Sequence, residues 1–187
     1  MQTWFAPIIL RDWPDLSGAA KTNDVLIYDK IYFDRETMAP RILERLKRHL
    51  DSRGLRHVTL RYGHHRLADF RKALATSRAA VFLSAHETQG LAYQEAMASG
   101  LPVLAWNEGK FRDPAAAGHP DVVVSSVPYF DDRCGMTFVE NDLESRFDAF
   151  WAARDRFRPR DYVAEMLNPR CSRQIYLDLL RRAGEAA

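Results

Sequence analysis

Residues 79–106 read AAVFLSAHETQGLAYQEAMASGLPVLAW, and the reading of this stretch decides the fold class. Ala80–Ser84 is a short apolar run of the kind a strand buried on both faces requires. Gln89–Ser99 carries a helix signal, Gly100 ends it, and Pro102–Ala105 is apolar again. Strand, acidic loop, helix and strand make one unit of an open α/β sheet, whose ligands lie beyond the carboxyl ends of the strands. Glu87 is expected at such an end. Gln89, Gly90 and Leu91 open the helix, where backbone N–H groups without helical partners can hold a phosphate. Glu95, in the early helix, faces back toward the same ligand. A carboxylate accepts two hydrogen bonds from a vicinal diol, so acids at these places suit ribose and sugar hydroxyls. Taken alone, two glutamates near a helix start read as solvated acids favoured by the helix dipole.

Outward from this unit the pattern continues. Asp24–Tyr32 is β-branched and apolar and reads as the first central strand. Thr37–Arg53 places Ile42, Leu43, Leu46 and Leu50 at helical spacing, with Gly54 as its C-cap. His57–Tyr62 is the next strand and Leu67–Ser77 an amphipathic helix with Leu67, Phe70, Ala73 and Leu74 inward. Beyond the motif, 107–120 is a loop, and Val122–Ser125 and Met136–Val139 are short strand candidates. Asn141 is expected to cap a helix over Asp142–Asp155, Tyr162–Leu167 a short helix, and Ser172 to cap a last helix with Ile175, Tyr176, Leu179 and Leu180 inward. Trp4–Leu10 reads as a short strand or extended segment, and Arg11–Thr22, rich in Pro, Asp, Ser and Gly, as a linker. The expectation is a single doubly wound, mostly parallel α/β domain over 23–187, preceded by a linker or N-terminal extension over 1–22.

The 187 residues suffice for one domain with a full core. Lys and Arg number 27 against 25 Asp and Glu, a balance that does not point to nucleic acid. The apolar runs are far shorter than a membrane-spanning helix needs, and the first residues lack the basic region of a signal peptide. Cys134 and Cys171 are isolated, with no metal-ligand spacing, and read as free thiols of a cytoplasmic protein.

The run HETQGLAYQEAMASGLPVLAW resembles the donor-sugar motif of retaining glycosyltransferases of the GT-B fold, the group also called glycosyl transferases group 1. Ser84, Glu87, Gly90, Glu95, Ala96, Met97, Ala98, Gly100, Pro102 and Val103 fall in register with that motif. The resemblance implies the second, C-terminal Rossmann-like domain of the two in that fold. It implies that Glu87 contacts the transferred sugar and Glu95 the nucleotide ribose. It also implies two cations after the first strand, commonly Gly-Arg and then Lys-Gly. Here Lys30 and Arg35 hold those places with their identities exchanged and both glycines absent, which departs from the pattern around the diphosphate. Tyr62, Gly63 and His64 occupy the loop that borders the nucleobase in the family, while a surface His pair is the plainer reading of His64 and His65. His86 is a candidate donor to a phosphate or sugar hydroxyl, and Asn107, Glu108 and Lys110 candidates for the rim. The arginines at 154, 156, 158 and 160 read as a solvated helix end or as a docking surface for a missing domain.

The implied reaction is transfer of a sugar from a nucleotide diphosphate sugar to an acceptor hydroxyl, with retention. Glu87, Lys30 and Arg35 are the expected catalytic groups. No metal or other cofactor is expected, and no nucleic acid or transmembrane segment. The first GT-B domain, which supplies the acceptor site, is absent from the chain, so an N-terminal acceptor domain or partner chain is expected. Peripheral contact with a membrane would come through that missing domain. A non-catalytic nucleotide-sugar-binding subunit and a GT-B-like nucleotide-sugar epimerase are the alternatives.

Overall fold

A computed structural model of the chain describes residues 4–114 and 122–185. Five strands form one parallel sheet: β1 (Asn23–Lys30), β2 (His57–Arg61), β3 (Ser77–Ser84), β4 (Val103–Trp106) and β5 (Gly135–Phe138), in the spatial order β2-β1-β3-β4-β5. Helices fill the connections: α1 (Arg35–Met38) and α2 (Glu44–Ser52) after β1, α3 (Leu67–Thr76) after β2 and α4 (Leu91–Ala98) after β3. After β5 come α5 (Leu143–Ala153), α6 (Pro159–Met166) and α7 (Pro169–Glu185).

Alternate residues of the strands point to opposite faces, and both faces are apolar. Leu26, Tyr28, Ala80, Phe82, Val103 and Ala105 pack with α3, α4 and α6. Val25, Ile27, Val81, Leu83, Leu104 and Trp106 pack with α1, α2 and α5 through Ile42, Leu46, Phe147 and Phe150. Each such large side chain, fully buried, contributes about 1.5–3 kcal/mol. Strand β5 approaches β4 so closely that a Cβ at Gly135, whose φ is +145°, would press on the Val103 carbonyl.

The expected helix over 37–53 is interrupted by a π-helical turn at Ala39–Leu43. Pro40 explains it: proline has no N–H to donate and crowds the carbonyl of the preceding turn, so the helix widens there. Gly54 takes the left-handed conformation expected of a C-cap, with φ +65°.

Several local expectations are corrected. Trp4–Ile9 takes the extended alternative and pairs with no strand among the described residues, while Leu10 begins a 3-10 turn over Leu10–Asp12. The polar groups of the extended segment go to Gln89 and α6 instead, with Ile8 N–H donating to the Leu167 carbonyl at 2.9 Å. Val122–Ser125 is not a sheet strand, and only Val123 forms a single bridge, to Lys110. Asp142, not Asn141, closes the entry to α5, its carboxylate accepting the Val139 N–H at 2.8 Å. Asn168, not Ser172, caps the last helix by accepting the N–H groups of Arg170 and Cys171. Ser172 is buried and donates to the Phe5 carbonyl at 2.6 Å. Leu67, Tyr176 and Leu180 are exposed rather than inward. Of the expected loop over 107–120, residues 115–120 lie outside the described residues. Cys134 and Cys171 are both free thiols. Among the described residues no helix is long and apolar enough to cross a membrane.

Candidate functional site

The order of the strands reverses between β1 and β3, because the chain leaves β1 toward β2 and returns to β3 on the other side. That switch point opens a crevice beyond the carboxyl ends of the two strands. Lys30 ends β1 and Ser84 ends β3, and the two are partners in register. The short loop after Ser84 turns Glu87 back over this gap, its N–H held by the Ser125 carbonyl at 2.9 Å. Lys30 Nζ lies 2.8 Å from Glu87 Oε1 and donates to Oε2 at 2.9 Å. Ser84 Oγ donates to Glu87 Oε1 at 2.8 Å. The Glu87 side chain is 7% exposed, so the ammonium balances a carboxylate largely withdrawn from water. The Tyr62 ring lies 4.7 Å from Lys30 Nζ, a cation–π contact that fixes the lysine from a third side.

Arg35 reaches the same edge but its fork is engaged. Nη1 and Nη2 donate to the two oxygens of buried Asp29 at 2.9 and 2.6 Å, and Nη1 also to the Ile31 carbonyl at 3.0 Å. The Asp29 hydrogen bonds push the guanidinium pKa up. Arg35 is therefore a cation whose charge is compensated by its neighbour. Its placement follows from six residues of sequence separation, whereas the Lys30–Glu87 pair spans 57 positions and requires the sheet register.

Helix α4 begins at Gly90, whose φ of +78° and ψ of 54° are left-handed. A Cβ there would run into the Tyr93 ring, so glycine is needed both for the turn and for the space. Leu91 is half-exposed at the mouth. The Gln89 amide is engaged within the fold, accepting from the Ala6 N–H at 2.9 Å and donating to the Ala6 carbonyl at 2.5 Å, so its side chain braces the loop. Glu95 lies one turn into α4. No hydrogen bond or ion pair engages its carboxylate among the described residues. Burial pushes its pKa up to about 7, opposed in part by the charge of Arg71.

Three adjoining cavities share these side chains, and Lys30 lines all of them. The largest, about 480 Å³, has Tyr28, Tyr62, Phe82, Glu87, Gly90 and Glu95 in its walls. A second, about 350 Å³, lies toward β2 and is bounded by Asp29, Arg35, Tyr62, Gly63 and His64. The third, about 220 Å³, is bounded by Phe33, Ser84, His86, Glu87 and Thr88. His64 is exposed, whereas His65 turns under the sheet edge, its Nε2 3.4 Å from Tyr28 Oη. The His86 ring is stacked between Phe33 and Phe111, at centroid distances of 5.7 and 4.3 Å, with a buried Nδ1 that has no hydrogen-bond partner among the described residues.

The expected donor-site residues, from Lys30 and Arg35 to Glu87 and Glu95, thus line these adjoining cavities, whereas the expected rim residues do not. Ser84, legible in the sequence only as a motif position, orients Glu87, while Tyr28 and Asp29, which had no expected role, wall the large cavity and hold Arg35. Asn107 and Glu108 do not rim these cavities. Asn107 accepts the Ser126 N–H at 3.1 Å, and Glu108 accepts from Trp106 Nε1 at 3.0 Å and the Glu140 N–H at 2.7 Å. Among the described residues no group of three His, Cys, Asp or Glu is placed to hold a metal ion.

Residues 42–127 match the family model described as glycosyl transferases group 1. No curated protein sequence matches the chain. Among solved structures, the fold is similar to "TarM" with a TM-score of 0.56 at 14% identity, over 96% of this chain and 38% of that one. It is similar to the pneumococcal O-GlcNAc transferase GtfA, solved in complex with UDP and GlcNAc, with a TM-score of 0.52 at 14% identity, over 92% of this chain and 37% of that one. A structure of the GtfA/B complex gives a TM-score of 0.51 at 13% identity, over 87% and 36%. At these identities the likeness is one of fold. The chain spans less than two-fifths of the length of these structures. The resemblance in the motif around Glu87 and Glu95 is thereby joined by a matching family segment and a matching architecture.

Proposed function

We propose that this chain is the donor-binding half of a glycosyltransferase that moves a sugar from a nucleoside diphosphate sugar to an acceptor hydroxyl. The observation that carries the reading is the Lys30–Glu87 pair, set at the topological switch point beside the start of α4 and one cavity wall away from the unpaired Glu95 carboxylate. Glu95 accepts the ribose hydroxyls, and the diphosphate lies between the α4 amides and Lys30. On binding, the Lys30 ammonium turns from Glu87 to the phosphate oxygens, and the Glu87 carboxylate accepts sugar hydroxyls in its place. As the glycosidic bond breaks, negative charge grows on the leaving diphosphate. Lys30 and the α4 amides are preorganised to stabilise it, with Arg35 acting from behind its Asp29 partner. In this reading transfer proceeds with retention, without a divalent ion, and with an acceptor half that lies outside the chain. The UDP and GlcNAc bound to the similar GtfA support the ligand class, and the GtfA/B complex supports a requirement for a second body.

The test is calorimetric titration of the chain with uridine, guanosine and adenosine diphosphates and their sugars, each with and without chelator. Saturable binding of one of these nucleotides in the presence of chelator is expected. Absence of binding by all of them, or an absolute need for magnesium or manganese, would refute the reading.

A further inference from the structure

We propose that the opposite, amino edge of the sheet carries a second anion site, built by Lys21, Arg78, Arg154 and Arg158, that takes a phosphomonoester or phosphodiester group. These four cations line one cavity of about 220 Å³ together with Ser17, Gly100 and one carboxylate, that of Asp155. The cavity sits where β3 and β4 begin. The eight residues of β3 separate it by roughly 23 Å from the Lys30–Glu87 pair, at about 3.3 Å per residue. It is too far away to be part of the transfer cleft.

Helix carboxyl ends point to this edge, and their carbonyls attract cations. That accounts for some of the donors. Lys21 Nζ donates to the Ala75 carbonyl at 3.2 Å and Arg154 Nη1 to that of Trp151 at 2.7 Å. Arg158 Nη1 donates to the carbonyls of Asp155 and Phe157 at 2.9 and 2.8 Å. It does not account for the charge. Asp155 lies 3.2 Å from Arg154, and Asp24 lies 3.4 Å from Arg78 but is shared with Arg56 at 3.7 Å. Among the described residues, no carboxylate lies within ion-pair distance of Lys21 or Arg158, and Arg158 keeps Nε and Nη2 without partners. The remaining acid facing this cluster is Asp15, which accepts the Ser17 N–H at 3.0 Å. The Lys21 ammonium is held below its ordinary pKa first by burial and then by the charge of Arg78, with Asp15 opposing. An anion seated in the cavity relieves both costs. Guanidinium forks match phosphate oxygens in geometry, and the small volume suits a phosphate with its first substituent atoms rather than a nucleotide.

The source is a soluble phosphorylated metabolite or the headgroup of an anionic lipid, and two probes distinguish them. Glycerol 3-phosphate is titrated into the full chain by calorimetry. The chain is also sedimented with vesicles of phosphatidylglycerol and of phosphatidylcholine. A saturable response to glycerol 3-phosphate alone marks a soluble ligand. Co-sedimentation with phosphatidylglycerol but not phosphatidylcholine marks a headgroup. Either response should weaken about tenfold in Lys21→Gln and in Arg158→Gln, the loss of one charge-assisted hydrogen bond. It should weaken less in Arg158→Lys, which keeps the charge but loses the fork, and should persist in the cleft variant Lys30→Gln. Circular dichroism checks that each variant is folded. No saturable response to either probe, a response undiminished in both Gln variants at the amino edge, or one abolished by Lys30→Gln would overturn the proposal.

Discussion

Glu95 has only the more distant charge of Arg71 to balance it and, among the described residues, no hydrogen bond or ion pair, so its protonation ties stability to ligand binding. Its pKa is about 7 in the fold against 4.5 for the ordinary side chain. Between those values the folded chain keeps a proton that the unfolded chain has released. Stability therefore falls as pH rises from about 4.5 to about 7 and levels off above. Glu95→Gln should remove this part of the slope, as denaturant titrations at pH 5 and pH 8 would show. Ribose hydroxyls donate best to the ionised carboxylate, so binding of the nucleotide sugar, whose doubly esterified diphosphate does not titrate in this range, should tighten in the wild-type chain as pH rises through about 7 and lose that part of the dependence in Glu95→Gln. Lys30→Gln leaves the Glu87 carboxylate with Ser84 but without a cation, and should lower stability by about 1–3 kcal/mol in a melting experiment, the cost of a partly buried charge left unpaired. The types of these residues were legible in the sequence because the motif spacing singles them out. Their pairing was not. Lys30 meets Glu87 only through the parallel register of β1 and β3, and no local pattern encodes which strands are neighbours. The stacking of His86 between Phe33 and Phe111 was hidden for the same reason.

At the scale of elements, the decisive piece is the start of α4. Gly90 must be left-handed, and its missing Cβ makes room for Tyr93, which in turn receives the Tyr129 N–H at 3.1 Å. Gly90→Ala should therefore cost about 1–3 kcal/mol of stability and displace the backbone amides that face the cleft. Thermal unfolding together with nucleotide titration would check both effects. Helices and strands with a clear period were read to within a few residues, because burial of one face imposes 3.6- or 2-residue spacing directly on the sequence. Ends set by single polar side chains were harder to read. Asn168 and Ser172 are both chemically able to cap, and only the packing of Ser172 under Phe5 decides between them. Trp4–Leu10 has strand composition, yet its backbone groups meet Gln89 and Leu167 rather than a sheet edge. Periodicity cannot foresee such partners.

For the whole molecule, doubly wound alternation was legible, since repeated strand–helix units admit little else. The order β2-β1-β3-β4-β5 was not, although it determines that the cleft opens between β1 and β3. In the proposed function, transfer needs an acceptor held against this cleft in a reactive geometry. Such positioning is worth roughly 7–11 kcal/mol of the barrier. A transfer assay on the purified chain should accordingly show no acceptor-dependent turnover until the acceptor half is added, and robust turnover by the chain alone would contradict this. The central claim, that one cleft divides ribose and sugar between two glutamates, is tested most directly by titrating wild type, Glu95→Gln and Glu87→Gln with a nucleoside diphosphate and with its sugar. Glu95→Gln should weaken both ligands by about 1–3 kcal/mol, while Glu87→Gln should weaken only the nucleotide sugar. Equal loss of plain diphosphate binding in both variants would contradict it.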